Sequence, residues 1–463
     1  MSRARHFRSV VALIALAGGV FGLSSRAAAQ GYGLYEQGAC MMGRGGAGVA
    51  APCDDGSAIF FNPAGLAVHT GLVASVGATT ISPRGRFTDS TTHLVSPLNA
   101  TTFLAPGEYI AAPWHGVVVG LGVFAPYGLT SDWPTTSEGR FVSYKSSVQS
   151  LYVQPTVAFH AGKRLFIGLG IDITHTSVEL DRRVDLSTQL IPGAGGLTFA
   201  ALGVPQGTDF ANVALSGSGL HAGVHVGFIF KADDAWSFGG RYLSGQTVSI
   251  TNGKLATLQV PTGLRLPIPL PGVPAGTPID VLLAPEFTAG APLGPQTATT
   301  SLPLPDQLVL GTAYRASKQL QLFIDYQFTH WAMFNQLLIQ NQIAPPTVLY
   351  GHWNNTHGIR IGGEYLLPRD IVVRAGFDAN TAAEPAQSVT PVLPEAPRKE
   401  LAFGTSLPLA KRLHLDLAYM YVNQSDRAGR TVDTGAVPPT TALNNGLFHY
   451  YANLFSASVV WGF

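Results

Sequence analysis

Apolar and polar residues alternate along several long stretches of the chain. Leu165, Ile167, Leu169, Ile171 and Ile173 fall on one parity, with Phe166, Gly168, Gly170, Asp172 and Thr174 on the other. The period returns at Leu320, Leu322, Ile324, Tyr326 and Phe328 against Gln321, Phe323, Asp325, Gln327 and Thr329. It returns again at Leu413, Leu415, Leu417, Tyr419 and Tyr421 against His414, Asp416 and Ala418. Successive side chains of a strand point to opposite faces, so each segment predicts a strand with one greasy face and one small or polar face. The period does not say which face looks inward. A soluble sandwich buries the apolar face, whereas a membrane barrel turns it to lipid and lines its lumen with the polar one.

Connection lengths favour the barrel. Fourteen segments read as strands, near 71–82, 105–112, 117–126, 143–160, 164–181, 216–231, 235–250, 304–315, 319–334, 356–367, 371–378, 399–409, 413–424 and 452–463. Tight turns fall at 113–116, near 162–163, and at 232–234, 316–318, 368–370 and 410–412, and every other link is long. An even count with alternating short and long links is the rhythm of an antiparallel transmembrane barrel whose two chain ends lie in the periplasm. Residues 297–302 also look extended. A separate strand there would need a tight turn among the long loops, so they join the loop or the strand that follows. Phe455, Ala457, Val459, Trp461 and Phe463 alternate to the last residue, which gives the final strand an aromatic outer face.

Composition supports the same class. Only 12% of the 463 residues are charged, about half the usual share, while Gly contributes 53 and Pro 32. The one long apolar run, residues 10–23, is too short to span a membrane as a helix. Arg3, Arg5 and Arg8 precede it and Ala27-Ala28-Ala29 follow, which makes residues 1–29 a secretory signal peptide and Gln30 the expected mature start. Its removal takes four arginines and no acid, leaving 24 basic against 27 acidic side chains, so no nucleic-acid partner is implied. Cys40 and Cys53 then lie in an oxidising compartment, either bridged or as two free thiols. Two cysteines make no zinc site, and neither a metal nor a cofactor is expected.

Residues 30–66 fit no strand pattern. Fourteen strands enclose more space than wall side chains fill, so this segment is a candidate plug, and residues 67–463 form the barrel. Gly43, Gly45 and Gly48 match a GxGxxG spacing, but no strand precedes them and no βαβ unit follows, so they read as turns and not as a dinucleotide site. Two long loops are unusually apolar: 186–215, with Leu190, Leu197 and Phe199, and 251–303, with Leu266 and Ile268 among closely spaced prolines. Such loops either face a hydrophobic ligand or pack on each other as a lid.

Several stretches resemble the FadL/TodX family of outer-membrane transporters for long-chain fatty acids and other hydrophobic molecules. The likeness begins at Gly31-Tyr32-Gly33-Leu34-Tyr35-Glu36-Gln37 and continues through Met42-Gly43-Arg44-Gly45. It is most specific at Asp54-Asp55-Gly56-Ser57-Ala58-Ile59-Phe60-Phe61-Asn62-Pro63-Ala64-Gly65-Leu66. Weaker matches lie at residues 125–129, 304–311 and 374–377. The resemblance implies an all-β fold, a 14-stranded antiparallel transmembrane barrel with residues 30–66 as a hatch inside it. It also implies capture of substrate by two apolar outer loops, an internal site, and lateral exit beside an inward kink in the third strand. Gly120, Gly122 and Pro126 are the residues able to weaken pairing there. By the same resemblance Tyr32 reaches the internal pocket, and Asn62, Pro63 and Ala64 hold the hatch against the wall at the kink.

Strand five carries no Lys or Arg between Phe166 and Leu180 to meet a fatty-acid carboxylate. Alternation instead turns Arg241, Arg360 and Arg374 to the lumen as candidate substrate contacts, with Glu364 on the same face as Arg360 and available to pair with it. The leading expectation is passive uptake of long-chain fatty acids or similar hydrophobic compounds across the outer membrane of a Gram-negative bacterium. The protein would act as a monomer among outer-membrane lipid, assembled by the barrel machinery through Phe463. The alternatives are a general aqueous porin, which needs no plug, and a barrel lipase. A lipase would need a serine converging with His414 and Asp416.

Overall fold

The computed structural model describes residues 31–191, 195–429 and 445–462. The signal peptide with Gln30, and Phe463, lie outside these residues. Fourteen wall strands close into one antiparallel barrel. They are β1 (Val73–Asp89), β2 (Phe103–Trp114), β3 (Val117–Asp132), β4 (Lys145–His160), β5 (Leu165–Val184), β6 (Ala211–Lys231), β7 (Trp236–Leu243, resuming at Gln246–Gln259) and β8 (Gln296–Leu304, resuming at Gln307–Arg315). The circuit continues with β9 (Leu320–Thr329), β10 (Thr356–Leu366), β11 (Val372–Asn380), β12 (Arg398–Ala410), β13 (Leu413–Gln424) and β14 (Gly446–Gly462). Neighbours in sequence pair in order, and β1 closes the ring on β14 in unbroken register, from Val73 opposite Gly462 to Asp89 opposite Gly446.

Exposure decides which face is which. On β5, Leu169, Ile171 and Ile173 are 44–57% exposed, while Asp172, Thr174 and Thr176 between them are fully buried. On β9, Ile324 and Tyr326 face out, and Asp325, Gln327 and Thr329 face in. The apolar rows are therefore the outer surface, the arrangement of a barrel in lipid. Trp114, Trp236, Tyr365 and Trp461 face out at the short-turn end, forming the aromatic belt expected at a membrane boundary. One of these turns, His115-Gly116, has two residues that both take positive φ, the geometry that lets two residues join antiparallel strands.

Residues 297–302 belong to the wall: they pair with β7 in the register Leu302 opposite Val248 and Leu304 opposite Gln246. Pro305 lacks the N–H to continue, and β8 breaks level with the break in β7 at Ser244-Gly245. Strand nine ends at Thr329 and not near 334. The chain turns through Trp331–Met333 into a loop hairpin of Gln336–Asn341 with Thr347–Tyr350.

Residues 31–68 form two short helices (Ala39–Gly43 and Ala58–Phe61) and a 3-10 turn (Pro63–Val68). They touch Thr79 on β1, Gln154 on β4, Asp325 on β9 and Ser458 on β14, a distribution possible only for an element inside the barrel. The inner wall is cut back to admit this backbone. A Cβ on Gly168 would lie 2.1 Å from the Pro63 carbonyl carbon, and one on Gly376 would lie 2.1 Å from that of Arg44. Cys40 and Cys53 are bridged, closing the loop between the two helices.

Candidate functional site

The pairing of β3 with β2 stops part-way along the strand. β3 pairs with β2 only from Val117 opposite Trp114 to Phe124 opposite Gly107. Past Phe124 its register with β4 shifts across Ala125-Pro126, and from Tyr127 to Asp132 β3 pairs with β4 alone. The edge so freed is taken by the N-terminal segment: Leu34 N–H donates to the Pro126 carbonyl at 2.8 Å, and Gly128 N–H to the Tyr32 carbonyl at 2.9 Å. Gln37 fastens the bulge with both ends of its amide. It accepts from Ala125 N–H at 3.0 Å and donates to the Ala125 carbonyl at 2.9 Å, as a strand partner would.

Pro126 lies at this shift in register. Gly120 and Gly122 do not cause it. They lie in regularly paired backbone, and their missing side chains make room for Ile59 of the N-terminal segment.

A cavity of about 680 Å³ occupies the gap. It is lined on one side by outward-facing Leu104 and Leu151 and on the other by buried Tyr127, Glu36 and Leu454, so it passes through the wall. A second, smaller cavity of about 130 Å³ lies within the barrel toward its long-loop end, among Val178, Leu302, Phe334, Leu337, Ile339 and Trp353. Tyr32, Leu129, Val148 and Leu393 line both and form the partition. Tyr32 is fixed there by its hydroxyl, which donates to the Pro303 carbonyl at 2.6 Å, and by edge contacts with Trp331 (4.5 Å) and Tyr127 (6.2 Å).

The remaining candidates are placed differently. Asn62 donates to the Val49 and Phe228 carbonyls at 2.7 and 2.9 Å and accepts from Ala64 N–H, while Pro63 and Ala64 pack on Gly168. The trio therefore holds the segment to β5 and β6 and not to the kink, because Gln37 and Leu34 already occupy the free edge of β3.

Arg241, Arg360 and Arg374 point inward but line neither cavity. Arg241 donates to Gln307 at 2.8 Å and lies over the Phe60 ring, Arg360 pairs with Asp378 at 3.3 Å over the Tyr35 ring, and Arg374 reaches Ser406, Glu364 and Asp416. The pairing of Arg360 with Glu364 does not form. Glu364 takes Arg44 at 2.6 Å, a partner from the N-terminal segment that strand alternation could not supply.

The apolar loops bury their faces on one another: of the five candidates, Phe199 and Leu266 are 2% exposed in a shared core, Leu197 packs at its edge, and Leu190 and Ile268 are open. Neither cavity is lined by any of these five.

Ser406 stands beside Asp416 and His414, but its hydroxyl donates to the Asp416 carboxylate, which also takes Arg374. A nucleophilic serine must give its proton to the histidine, so this trio is an ion-pair network and not a triad.

The family model described as "Outer membrane protein transport protein (OMPP1/FadL/TodX)" matches residues 20–463. The chain belongs to this family. It is 22% identical over 428 residues to a long-chain fatty acid transport protein of Escherichia coli K12, covering 88% of this chain and 91% of that one. Among solved structures it resembles a Pseudomonas aeruginosa FadL homologue, with a TM-score of 0.77 and 18% identity over 93% of this chain and 99% of that one. It also resembles the Pseudomonas putida toluene transporter TodX, with a TM-score of 0.64 and 15% identity over 94% of this chain and 99% of that one. As a FadL/TodX member the protein is an outer-membrane transport barrel and not an enzyme, and its short turns face the periplasm.

Proposed function

We propose that this FadL/TodX barrel admits long-chain fatty acids or other hydrophobic compounds by passive diffusion and releases them sideways through the gap between β2 and β3. The observation that carries the reading is the pair of cavities, one apolar and internal, one passing through the wall, parted by Tyr32. Each methylene withdrawn from water contributes about 0.8 kcal/mol, so an apolar pocket holds a long tail with few polar contacts and needs no energy source. Leu190 and Ile268, open on the loop crown, serve as the first contact surface. Residues 31–68 act as the hatch, standing where an aqueous porin would have a water-filled pore. In the same reading residues 1–29 are removed on export, Phe463 is the signal for barrel assembly, and the barrel works as a monomer.

Uptake of labelled oleate and of an uncharged aromatic hydrocarbon tests this, in cells carrying the protein or its Ala105→Trp variant. Ala105 is buried and lines the gap, so the indole fills it. Uptake in the parent and its loss in the variant are expected. Equal uptake of small sugars with neither hydrophobic compound bound would reject the reading.

A further inference from the structure

The two cavities carry an unusual charge balance. Glu36 and Glu395 line the gap, and Glu179 and Glu384 line the inner pocket, whereas Arg398 is the one lysine or arginine among the lining residues of either. Arg398 already pairs with Glu400 at 3.1 Å and donates to the Gly33 carbonyl at 3.3 Å. Glu179 is matched by Lys145 at 2.9 Å.

Glu384 and Glu395 lie on the loop between β11 and β12 and are 5% and 2% exposed. Glu395 is saturated by backbone: it accepts from Gly31 at 2.8 Å, Ala383 at 3.0 Å and Glu384 at 2.9 Å. Arg427 is bound to the Glu384 backbone carbonyl and lines neither cavity. The Glu384 Oε2 atom is buried without a hydrogen-bond partner, on the wall of the inner pocket.

We propose that the inner pocket selects hydrophobic compounds with an uncharged hydroxyl head over carboxylates, with Glu384 as the partner of that hydroxyl. The proposal rests on the reading that this pocket holds the transported compound. A hydroxyl both donates and accepts, so it pairs with Glu384 whether or not that carboxyl carries its proton. A ligand carboxylate would instead bring another negative charge beside Glu384 in a pocket whose described lining residues include no lysine or arginine. Like charges at short range in a poorly solvated pocket repel strongly, and a buried polar group left unpaired is costly.

The test is displacement of a fluorescent hydrophobe from the detergent-solubilised mature protein by oleyl alcohol and by oleate, which share a tail and differ in the head. Oleyl alcohol is expected to bind at least about 10-fold more tightly. Glu384→Gln keeps a hydrogen-bonding amide but removes the acid, and it is expected to narrow the ratio by improving oleate. Oleate binding as tightly as the alcohol in the parent protein, or an unchanged ratio in a folded Glu384→Gln variant, overturns the proposal. The parent comparison stands alone if that variant does not fold. If neither compound binds, the transport reading itself fails and the selectivity falls with it.

Discussion

Replacing Tyr32 with Phe isolates the step between the two cavities. The ring contacts with Trp331 and Trp353 remain, and only the hydroxyl bond to the Pro303 carbonyl is lost. A buried neutral hydrogen bond contributes about 1 kcal/mol net. If Tyr32 must swing aside for a molecule to pass from the inner pocket to the gap, loosening its resting state by that amount speeds passage about fivefold. Ligand affinity should change little, because the pocket wall keeps its shape. The assay is the initial uptake rate of labelled oleyl alcohol and oleate into cells with equal amounts of each protein in the outer membrane, with heat-dependent gel mobility as the check on folding. A folded variant whose rate is unchanged would refute the idea that Tyr32 is the barrier. A slower one would show that the hydroxyl guides the ligand instead of blocking it.

Other consequences are as direct. Gln37→Ala leaves the Ala125 N–H and carbonyl without partners, a loss of about 2–4 kcal/mol, and should speed hydrogen exchange across residues 31–37 and 125–128 while the distant β9–β13 wall stays protected. The Cys40–Cys53 bridge closes a 13-residue separation, which restrains the unfolded chain by about 3 kcal/mol, so Cys40→Ser with Cys53→Ser should lower the unfolding midpoint and make it insensitive to reductant. Burial raises Glu384 and Glu395 above the ordinary value of 4.5, and the charge of Glu395 adds to the effect on Glu384, against the opposing pull of Arg427 and Arg398. The folded protein therefore holds these protons longer than the unfolded chain, and stability present below pH 4.5 is lost as pH rises through the raised values. Unfolding midpoints measured upward from pH 4.5 should fall, and fall less steeply in Glu384→Gln.

The wall was largely written in the sequence. Period-two alternation, turn residues and the parity of short and long links gave fourteen strands and six of their turns, because these are local properties of the backbone. The inner row of glycines on β5 and β11 was visible too, although its purpose was not: Gly168 and Gly376 are small because the N-terminal backbone presses against them.

Tyr32 came into view only through the family resemblance; Gln37, Trp331, Glu384 and Glu395 carried no signal of their own, since each acts through a partner far along the chain, such as Ala125 for Gln37 or Gly31 for Glu395. The lumen arginines point inward as alternation implies, but each is met across the barrel wall before any ligand could reach it, Arg241 by Gln307, Arg360 by Asp378 and Arg374 by Glu364, Ser406 and Asp416.

Alternation is unchanged when the two faces are exchanged. The period by itself therefore determined only that there are two faces; link lengths pointed to a barrel with the apolar face outward, and closure of β1 on β14 around residues 31–68 makes that arrangement physical. The same closure placed the gap. β3 parts from β2 at Ala125-Pro126, where the N-terminal segment, once enclosed, takes that edge; Pro126 is a local mark on β3, but the partner segment about ninety residues away is set only by the enclosure.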